Sequence, residues 1–168
     1  MPSPSSLDIP AYLASSPLPY HTLTPLSGGT ANFVYRLTSA SHPSRILKHA
    51  EPYIASQSHI ALPVARMAFE HRALTQLPAH LPPSTHTNIV LPRVHHYDPE
   101  AHVLVMDDCG STTLKQAYPT LSATDLQTYG HQLGVWLAHL HASTPASPSA
   151  TTSPPKTSLA TPTPTSPP

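Results

Sequence analysis

The sequence is poor in the residues that build disulfide frameworks, nucleic-acid interfaces and membrane spans. Its 168 residues include one cysteine, so no internal disulfide can form, and a reducing compartment fits this usage. Eight basic residues balance eight acidic ones, and no basic stripe indicates a nucleic-acid partner. No apolar run approaches the roughly 20 residues of a membrane span, and the N-terminus lacks the basic start of a signal peptide. We therefore expect a soluble cytoplasmic protein that binds neither nucleic acid nor membrane.

Glycine is also scarce, whereas proline is abundant and unevenly placed. Residues 143–168 hold eight of the 23 prolines, one charged residue and no aromatic residue. Such a segment cannot bury enough apolar surface to offset its ordering entropy, so we expect a disordered Pro/Ser/Thr-rich tail over residues 145–168. About 140 residues then remain for a core, which is enough for one sheet with a helix or two.

Thirteen histidines raise the question of a metal site. His95 and His96 are neighbours in a predicted strand and should point to opposite faces. His139 and His141 lie two residues apart on a predicted helix and diverge as well. Because the sequence has no cysteine pair and no His-Glu-x-x-His pattern, we assign no metal ligand and expect surface or half-buried histidines.

The hydrophobic pattern predicts an α+β fold in the order β-β-β-α-β-β-α. Strands are expected over residues 20–26, 32–37, 45–49, 89–97 and 102–107, with a loop over residues 50–62. Pro92 makes the fourth strand an edge strand or an irregular one. A helix is expected from Pro63 until Pro78 ends it. The capping pattern Ser122-x-x-Asp125 begins a second, longer helix with an apolar stripe over Leu126–Leu140.

Two glycines, a lysine and a glutamate stand in an order that indicates a phosphate-binding unit. Gly28 and Gly29 lie in the turn between the first two strands, where backbone N–H groups can approach phosphate oxygens because no Cβ intervenes. Lys48 follows on the third strand and can project towards that turn. Glu70 lies on the apolar face of the first long helix, where an unpaired carboxylate is costly. We therefore predict an ion pair between Lys48 and Glu70.

Each of these residues also has a simpler interpretation. A Gly-Gly pair is often only a hairpin turn, and Asn32 stands near the place of the third glycine in a full G-x-G-x-x-G pattern. A strand lysine can protect a sheet edge against aggregation. Glu70 could turn outward to Arg66, as an i, i+4 pair that stabilises a helix by about 0.2–0.5 kcal/mol. The cost of an unpaired charge on the apolar face favours the lysine partner.

The order and spacing of five segments carry a family resemblance over residues 20–144. The segments are PLSGGTANFVYRL, RILKHAEPYIA, LPVARMAFEHRAL, HVLVMDDCGS and GHQLGVWLAHLHAST. Together they resemble the N-terminal part of the aminoglycoside phosphotransferase/choline kinase-like superfamily, in particular its methylthioribose kinase-like members. The resemblance implies a protein-kinase-like fold with an N-terminal extension (1–19), a nucleotide-binding lobe (20–110), the start of a helical lobe (111–144) and the tail.

The resemblance also implies functional residues and ligands. The positions that match the nucleotide-binding loop are Gly28, Gly29 and Thr30. Lys48 matches the lysine that binds the α- and β-phosphates, and Glu70 matches the glutamate that orients it. The implied reaction is phosphoryl transfer from ATP, with Mg²⁺ in complete members, to a hydroxyl of a small molecule.

The adenine side of the implied site follows the last strand of the sheet. Met106 would lie at the back of the adenine pocket. Hydrogen bonds to adenine would come from the backbone of Asp107, Asp108 and Cys109. Gly110 would let the chain turn towards the second lobe.

Two short patterns imitate the catalytic and metal-binding motifs of kinases. His96-Tyr97-Asp98 has the H-x-D form, but it precedes the hinge strand and lacks a following asparagine. Asp108-Cys109-Gly110 has the D-x-G form, but it follows that strand directly. In the family the true motifs come after the helix that ends at Leu140-His141, where this sequence has its tail. We therefore assign no catalytic residue.

These expectations describe a truncated kinase. A truncated or mispredicted gene, or read-through into non-coding sequence, would produce a chain that has only the ATP-binding residues. We expect such a chain to bind nucleotide weakly and not to catalyse phosphoryl transfer. The apolar stripe Leu126–Leu140 would normally pack on the second lobe, so its exposure should favour self-association. A protein kinase-like or pseudokinase fragment that acts as a non-enzymatic regulator is the alternative, with Pro145-x-x-Pro148 in the tail as a docking motif.

Overall fold

A five-stranded antiparallel sheet forms the centre of the protein in the computed structural model, which describes residues 5–81 and 88–143. The strands are β1 (Thr22–Pro25), β2 (Phe33–Thr38), β3 (Arg45–His49), β6 (Val94–Asp98) and β7 (Val103–Asp107). They are arranged in the order β1-β2-β3-β7-β6. A separate hairpin consists of β4 (Tyr53–Ile54) and β5 (Gln57–Ala61).

The helices complete an α+β fold. They are α1 (Ile9–Ser15), α2 (Ala65–Gln76), α3 (Leu114–Ala117) and α4 (Ala123–Ser143), with short 3-10 helices at Leu77–His80 and Tyr118–Thr120. The predicted fold class, a kinase-like N-terminal lobe with an antiparallel sheet of about five strands, is confirmed.

The two faces of the sheet carry two separate apolar clusters. Leu37, Leu47, Val103 and Val105 face α1, which contributes Ile9 and Leu13. The opposite face holds Leu104 and Met106, with Met67 of α2 packed against them. Because β7 lies between β3 and β6 and is buried on both faces, its apolar run is uninterrupted instead of alternating.

The predicted N-terminal extension contains a helix that the sequence analysis does not anticipate. Asp8 caps α1, because its Oδ1 accepts a hydrogen bond from the Ala11 N–H at 3.0 Å. Pro10 lies in the first turn of this helix. Ile9 and Leu13 are 2% and 8% exposed, so the segment before residue 20 forms part of the core. Seven residues show too little periodicity for the helix to be recognised from sequence.

The connection between β3 and α2 also differs from the prediction. The segment expected as a loop over residues 50–62 contains the β4–β5 hairpin. All five residues of β5 are exposed, so the strand lacks the alternation that marks a half-buried strand. Helix α2 begins at Ala65, two residues after Pro63. Pro78 lies in the 3-10 turn that follows α2.

The remaining strands lie close to their predicted ranges except at the start of the fourth. β6 is an edge strand as expected, but it begins at Val94 and not at residue 89, so Pro92 lies before the strand. Ser122 and Asp125 form the predicted reciprocal cap of α4, since the Asp125 N–H donates to Ser122 Oγ and the Ser122 N–H donates to Asp125 Oδ2, each at 3.1 Å.

The predicted apolar stripe of α4 is largely exposed in the described part of the chain. Tyr129, Leu133 and Leu137 are 47%, 42% and 38% exposed, whereas Trp136 is half-buried. α4 contacts the 3-10 turn Leu77–His80. The tail expected over residues 145–168 lies outside the described residues. Among the helices that the structure describes, none is long and apolar enough to cross a membrane.

Candidate functional site

Lys48 and Glu70 meet on the face of the sheet that packs against α2. Lys48 lies on β3, opposite Val34 of β2 and Leu104 of β7, so it shares their face of the sheet. Its Nζ is 2.5 Å from Oε1 of Glu70. The ion pair predicted between these two residues is therefore present, while its role in nucleotide binding stays a prediction.

The position of Glu70 follows from how α2 packs. Met67 is 1% exposed and anchors the helix on the sheet, and Leu74 packs against the same cluster. Glu70 lies between them along the helix, so its carboxylate reaches the edge of the apolar contact. The side chains of Lys48 and Glu70 are 27% and 30% exposed. A half-exposed pair of this kind stabilises the fold only modestly, and it leaves the lysine accessible to a ligand.

The glycine turn joins β1 to β2 beside this pair. The Leu26 N–H donates to the Val34 carbonyl at 2.8 Å and closes the turn. Gly28 has φ +99°, a backbone conformation that residues with a Cβ rarely adopt. A Cβ on Gly29 would lie 3.6 Å from Cγ2 of Val34, which is an ordinary contact. Position 28 thus requires glycine because of its backbone conformation. Val34, which lies next to the turn, is also directly opposite Lys48 on the neighbouring strand.

Met106 is the residue that the resemblance assigns to the back of an adenine pocket, and this assignment stays a prediction. Met106 is 4% exposed, it faces α2, and it pairs with Ile46 of β3. The next residue, Asp107, donates its N–H to the Arg93 carbonyl at 3.0 Å. That N–H is used within the protein, so a contact from Asp107 to adenine would need other atoms of its backbone. Cys109 is exposed.

The carboxylate of Asp108 fixes the turn that follows β7. It accepts hydrogen bonds from Arg36 Nε at 2.6 Å, Ser44 Oγ at 2.9 Å and the Gly110 N–H at 3.0 Å. Gly110 has φ +113°, as expected for a turn glycine. Burial alone would raise the pKa of Asp108, but these hydrogen bonds outweigh it and hold the pKa below its ordinary value.

Asp107 is held by two side chains and one backbone N–H. Its Oδ1 lies 3.2 Å from Nη1 of Arg45 and 2.7 Å from Nε2 of His95, and its Oδ2 accepts the Arg93 N–H at 2.9 Å. Burial opposes ionisation here too, yet the hydrogen bonds from His95 and Arg93 lower the pKa of Asp107. The two consecutive aspartates at the end of β7 therefore serve the local structure through their side chains.

The H-x-D pattern on β6 attaches α1 to the sheet. The Tyr12 hydroxyl donates to Oδ2 of Asp98 at 3.1 Å and lies 3.0 Å from Nε2 of His96. Burial and the hydrogen bond to Asp98 raise the pKa of Tyr12 to about 12. His95 and His96 have different partners, as expected for neighbours on a strand. Over residues 5–81 and 88–143, no three His, Cys, Asp or Glu side chains group to hold a metal ion.

Sequence reasoning missed two contributors to this region. Arg66 is considered above only as an alternative partner for Glu70, yet its guanidinium contacts the end of the glycine turn through Ala31 and Asn32. The β4–β5 hairpin is the other, because the Ser56 N–H donates to the Thr30 carbonyl at 3.1 Å. The position of Asn32 at the end of the glycine turn is the one sequence signal that could have indicated such anchoring.

The sheet and the helix packed on it form a kinase-like N-terminal lobe, and comparison with known proteins agrees with this fold class. A family model described as "Phosphotransferase enzyme family" matches residues 22–164. The chain therefore belongs to the phosphotransferase enzyme family.

Individual relatives are kinases of small molecules. The chain is 33% identical over 126 residues to a 4-hydroxytryptamine kinase of Psilocybe cyanescens, an alignment that covers 69% of this chain and 35% of that protein. It is 29% identical to the 4-hydroxytryptamine kinase of Psilocybe cubensis with the same coverage. It is 31% identical over 116 residues to a methylthioribose kinase of Enterobacter sp. (strain 638), covering 68% of this chain and 27% of that protein. The chain thus spans about a third of the length of these relatives.

Proposed function

We propose that this chain supplies the ATP-binding part of a small-molecule kinase. Residues 20–110 would form the nucleotide-binding lobe, and residues 111–144 would begin the helical lobe. The single observation that carries the proposal is the Lys48–Glu70 ion pair, placed on one face of the sheet next to the glycine turn.

The phosphate side of the proposed site combines a cation with backbone donors. Lys48 would contact the α- and β-phosphates, and Glu70 would keep the ammonium group directed at them. The turn Gly28–Thr30 is exposed and would cover the phosphates with its N–H groups. Phosphoryl transfer needs little covalent chemistry from the protein, so positioning and charge neutralisation by such groups account for most of the catalysis.

The adenine side would be formed by the sheet and the turn after β7. Met106 would contact the ring, and backbone atoms of Asp107, Asp108 and Cys109 would supply hydrogen bonds. The Arg36–Asp108 pair supports this proposal because it fixes the turn after β7, which would border the adenine ring. ATP would be used with Mg²⁺, but the described residues present no grouped set of ligands for that ion, so we assign none.

The acceptor is proposed to be a hydroxyl group of a small metabolite. Two relatives are named for 4-hydroxytryptamine and one for methylthioribose, and both compounds carry a hydroxyl. The part of the relatives that this chain does not span is about two thirds of their length, so the acceptor pocket is not assigned to residues here. A cytoplasmic location, where ATP is available, belongs to the same proposal.

Titration of the 168-residue chain with ATP, ADP and adenosine by isothermal calorimetry tests the proposal. We expect binding of all three ligands, with ATP and ADP tighter than adenosine because only the nucleotides carry the α- and β-phosphates that Lys48 would contact. Incubation with radiolabelled ATP and either 4-hydroxytryptamine or methylthioribose tests turnover in the same preparation. We expect binding without transfer; failure to bind any adenine nucleotide would overturn the proposal.

A further inference from the structure

The guanidinium group of Arg66 donates five hydrogen bonds close to the candidate site. Its Nε donates to Oδ1 of Asn32 at 3.0 Å. Nη1 donates to the carbonyls of Leu62 and Pro63 at 2.7 and 2.9 Å. Nη2 donates to the carbonyls of Ala31 and Glu51 at 3.2 and 2.9 Å. The five acceptors belong to three separate segments of the chain.

Each of these three segments adjoins an element that would contribute to the phosphate site, namely the glycine turn, β3 with Lys48 and α2 with Glu70. Ala31 and Asn32 end the glycine turn, Glu51 precedes the β4–β5 hairpin, and Leu62 and Pro63 lead into α2. The turn and the hairpin are also joined directly.

The direct joint between the turn and the hairpin consists of two backbone hydrogen bonds. The Ser56 N–H donates to the Thr30 carbonyl at 3.1 Å, and the Ala55 N–H donates to the Ala31 carbonyl at 3.4 Å. The amide group of Asn32 in addition reaches Sδ of Met67 on α2 at 3.6 Å. The end of the glycine turn is therefore attached to both the hairpin and α2.

The geometry of the side chain explains why arginine serves here. A guanidinium group is planar and directs five N–H donors in a fixed fork, whereas an ammonium group has three donors at a single point. Lysine at position 66 could reach one or two of these carbonyls but not all three segments. Arg66 also precedes Glu70 by about one helical turn, so the two residues are neighbours on the same side of α2.

We propose that Arg66 is a positioning residue that fixes the glycine turn to α2. The backbone N–H groups of the turn would bind the phosphates from one side, and Lys48, oriented by Glu70, would contact them from the other. One side chain thereby holds the two halves of the phosphate site at a constant separation. This inference rests on the proposed function, because it assumes that the turn and Lys48 bind the same nucleotide.

The test compares Arg66→Lys with the matched control Arg72→Lys in the full 168-residue chain. Arg72 lies on the same helix and is exposed, so the control makes the same chemical change away from the turn. Two quantities are measured: hydrogen exchange at the amides of Ala55 and Ser56, which bond to the turn, and the dissociation constants of ATP and adenosine. Asn32→Ala, which removes one acceptor and leaves four, is a milder variant in case Arg66→Lys does not fold.

For Arg66→Lys we expect exchange at the two amides to become about tenfold faster, because the segments they join are released. ATP binding should weaken about tenfold, whereas adenosine binding should change less than about twofold, because adenosine has no phosphates for the turn to hold. Asn32→Ala should change both quantities in the same direction by less. Arg72→Lys should leave them unchanged.

Two results would overturn the positioning role. Unchanged exchange at Ala55 and Ser56 would show that Arg66 does not hold the turn. Equal weakening of ATP and adenosine binding would show general destabilisation instead of a phosphate-specific effect. If the unmodified chain binds no nucleotide, the proposed function fails, and the exchange comparison still decides whether Arg66 fixes the turn to α2.

Discussion

Lys48 Nζ and Glu70 Oε1 lie 2.5 Å apart although the two residues are 22 positions apart in the sequence. The register of β3 places the lysine on the face that packs against α2, and the packing of Met67 turns the glutamate towards it. A strand and a helix thus bring together a cation and the anion that orients it. This relationship is the physical basis for placing ATP beside the glycine turn.

The backbone at Gly28 provides the first prediction. Gly28→Ala should weaken ATP binding and destabilise the turn by about 1–2 kcal/mol, because φ +99° is unfavourable for alanine. Gly29→Ala is the matched control for stability, since its new Cβ would make only an ordinary 3.6 Å contact with Val34. Chemical denaturation and ATP titration of both variants measure the difference. Equal effects of the two substitutions would show that the positive φ is not what matters.

The pair formed by Arg36 and Asp108 provides a second prediction. Asp108→Asn should lower the free energy of unfolding by about 1–3 kcal/mol and weaken adenosine binding, because it leaves a half-buried arginine without its counter-charge. Arg36→Gln should have a similar effect. The double variant should lose less than the sum of the two single losses, since both break one interaction. Additive losses would indicate that the residues stabilise the turn after β7 independently.

A pH effect is expected from the contact between the N-terminal segment and Glu51. The Ser6 N–H and Oγ both donate to Glu51 Oε1 at 2.6 Å, and His49 Nε2 lies 3.0 Å from it. Burial alone would raise the pKa of Glu51, but these hydrogen bonds lower it from 4.5 to about 2. A lowered carboxyl pKa stabilises the fold above the unfolded-state value, and this stabilisation is lost as the pH falls from about 4.5 towards 2.

Urea denaturation between pH 7 and pH 2.5 measures this contribution. Glu51→Gln should cost on the order of 2 kcal/mol at pH 7 and much less at the acid end of the range. Asp98, Asp107 and Asp108 also have lowered pKa values and contribute in the same direction, so variants are compared with the parent at each pH. Glu100→Gln, at an exposed position, is the control. A difference between Glu51→Gln and the parent that does not change with pH would contradict the account.

The parts of the fold that sequence could predict are those with a clear signature in the local pattern of residues. The apolar runs and turn residues predict β3 and β7 with little error, and Ser122 with Asp125 marks the start of α4. The cost of an unpaired charge on an apolar helix face also predicts the partner of Glu70.

The unpredicted parts depend on contacts that a local pattern does not encode. Helix α1 is too short to show periodicity, and β5 is exposed on both faces. Arg66 donates five hydrogen bonds to acceptors that lie up to 35 residues away in the sequence. Only the folded chain brings these acceptors together. The side chain of Asp108 is likewise committed to Arg36, 72 positions earlier.

The exposed stripe of α4 predicts self-association. Tyr129, Leu133 and Leu137 present contiguous apolar surface on one side of the helix, so the chain should form oligomers as its concentration rises. Sedimentation velocity at several concentrations measures this. The double substitution Leu133→Gln and Leu137→Gln should restore the monomer, whereas His131→Gln, an exposed polar change on α4, should not. A monomeric parent at all concentrations would contradict the prediction.

The most direct test of the central claim is the dissociation constant of ATP for the 168-residue chain and three charge variants, measured by isothermal titration calorimetry. Lys48→Met should weaken ATP binding by about tenfold or more, because it removes a charge-assisted contact with the phosphates. Glu70→Gln should weaken it less, and Lys115→Met, at an exposed position on α3, should have no effect. If ATP binds equally well to the parent and to Lys48→Met, the lysine does not hold the nucleotide and the proposed site is wrong.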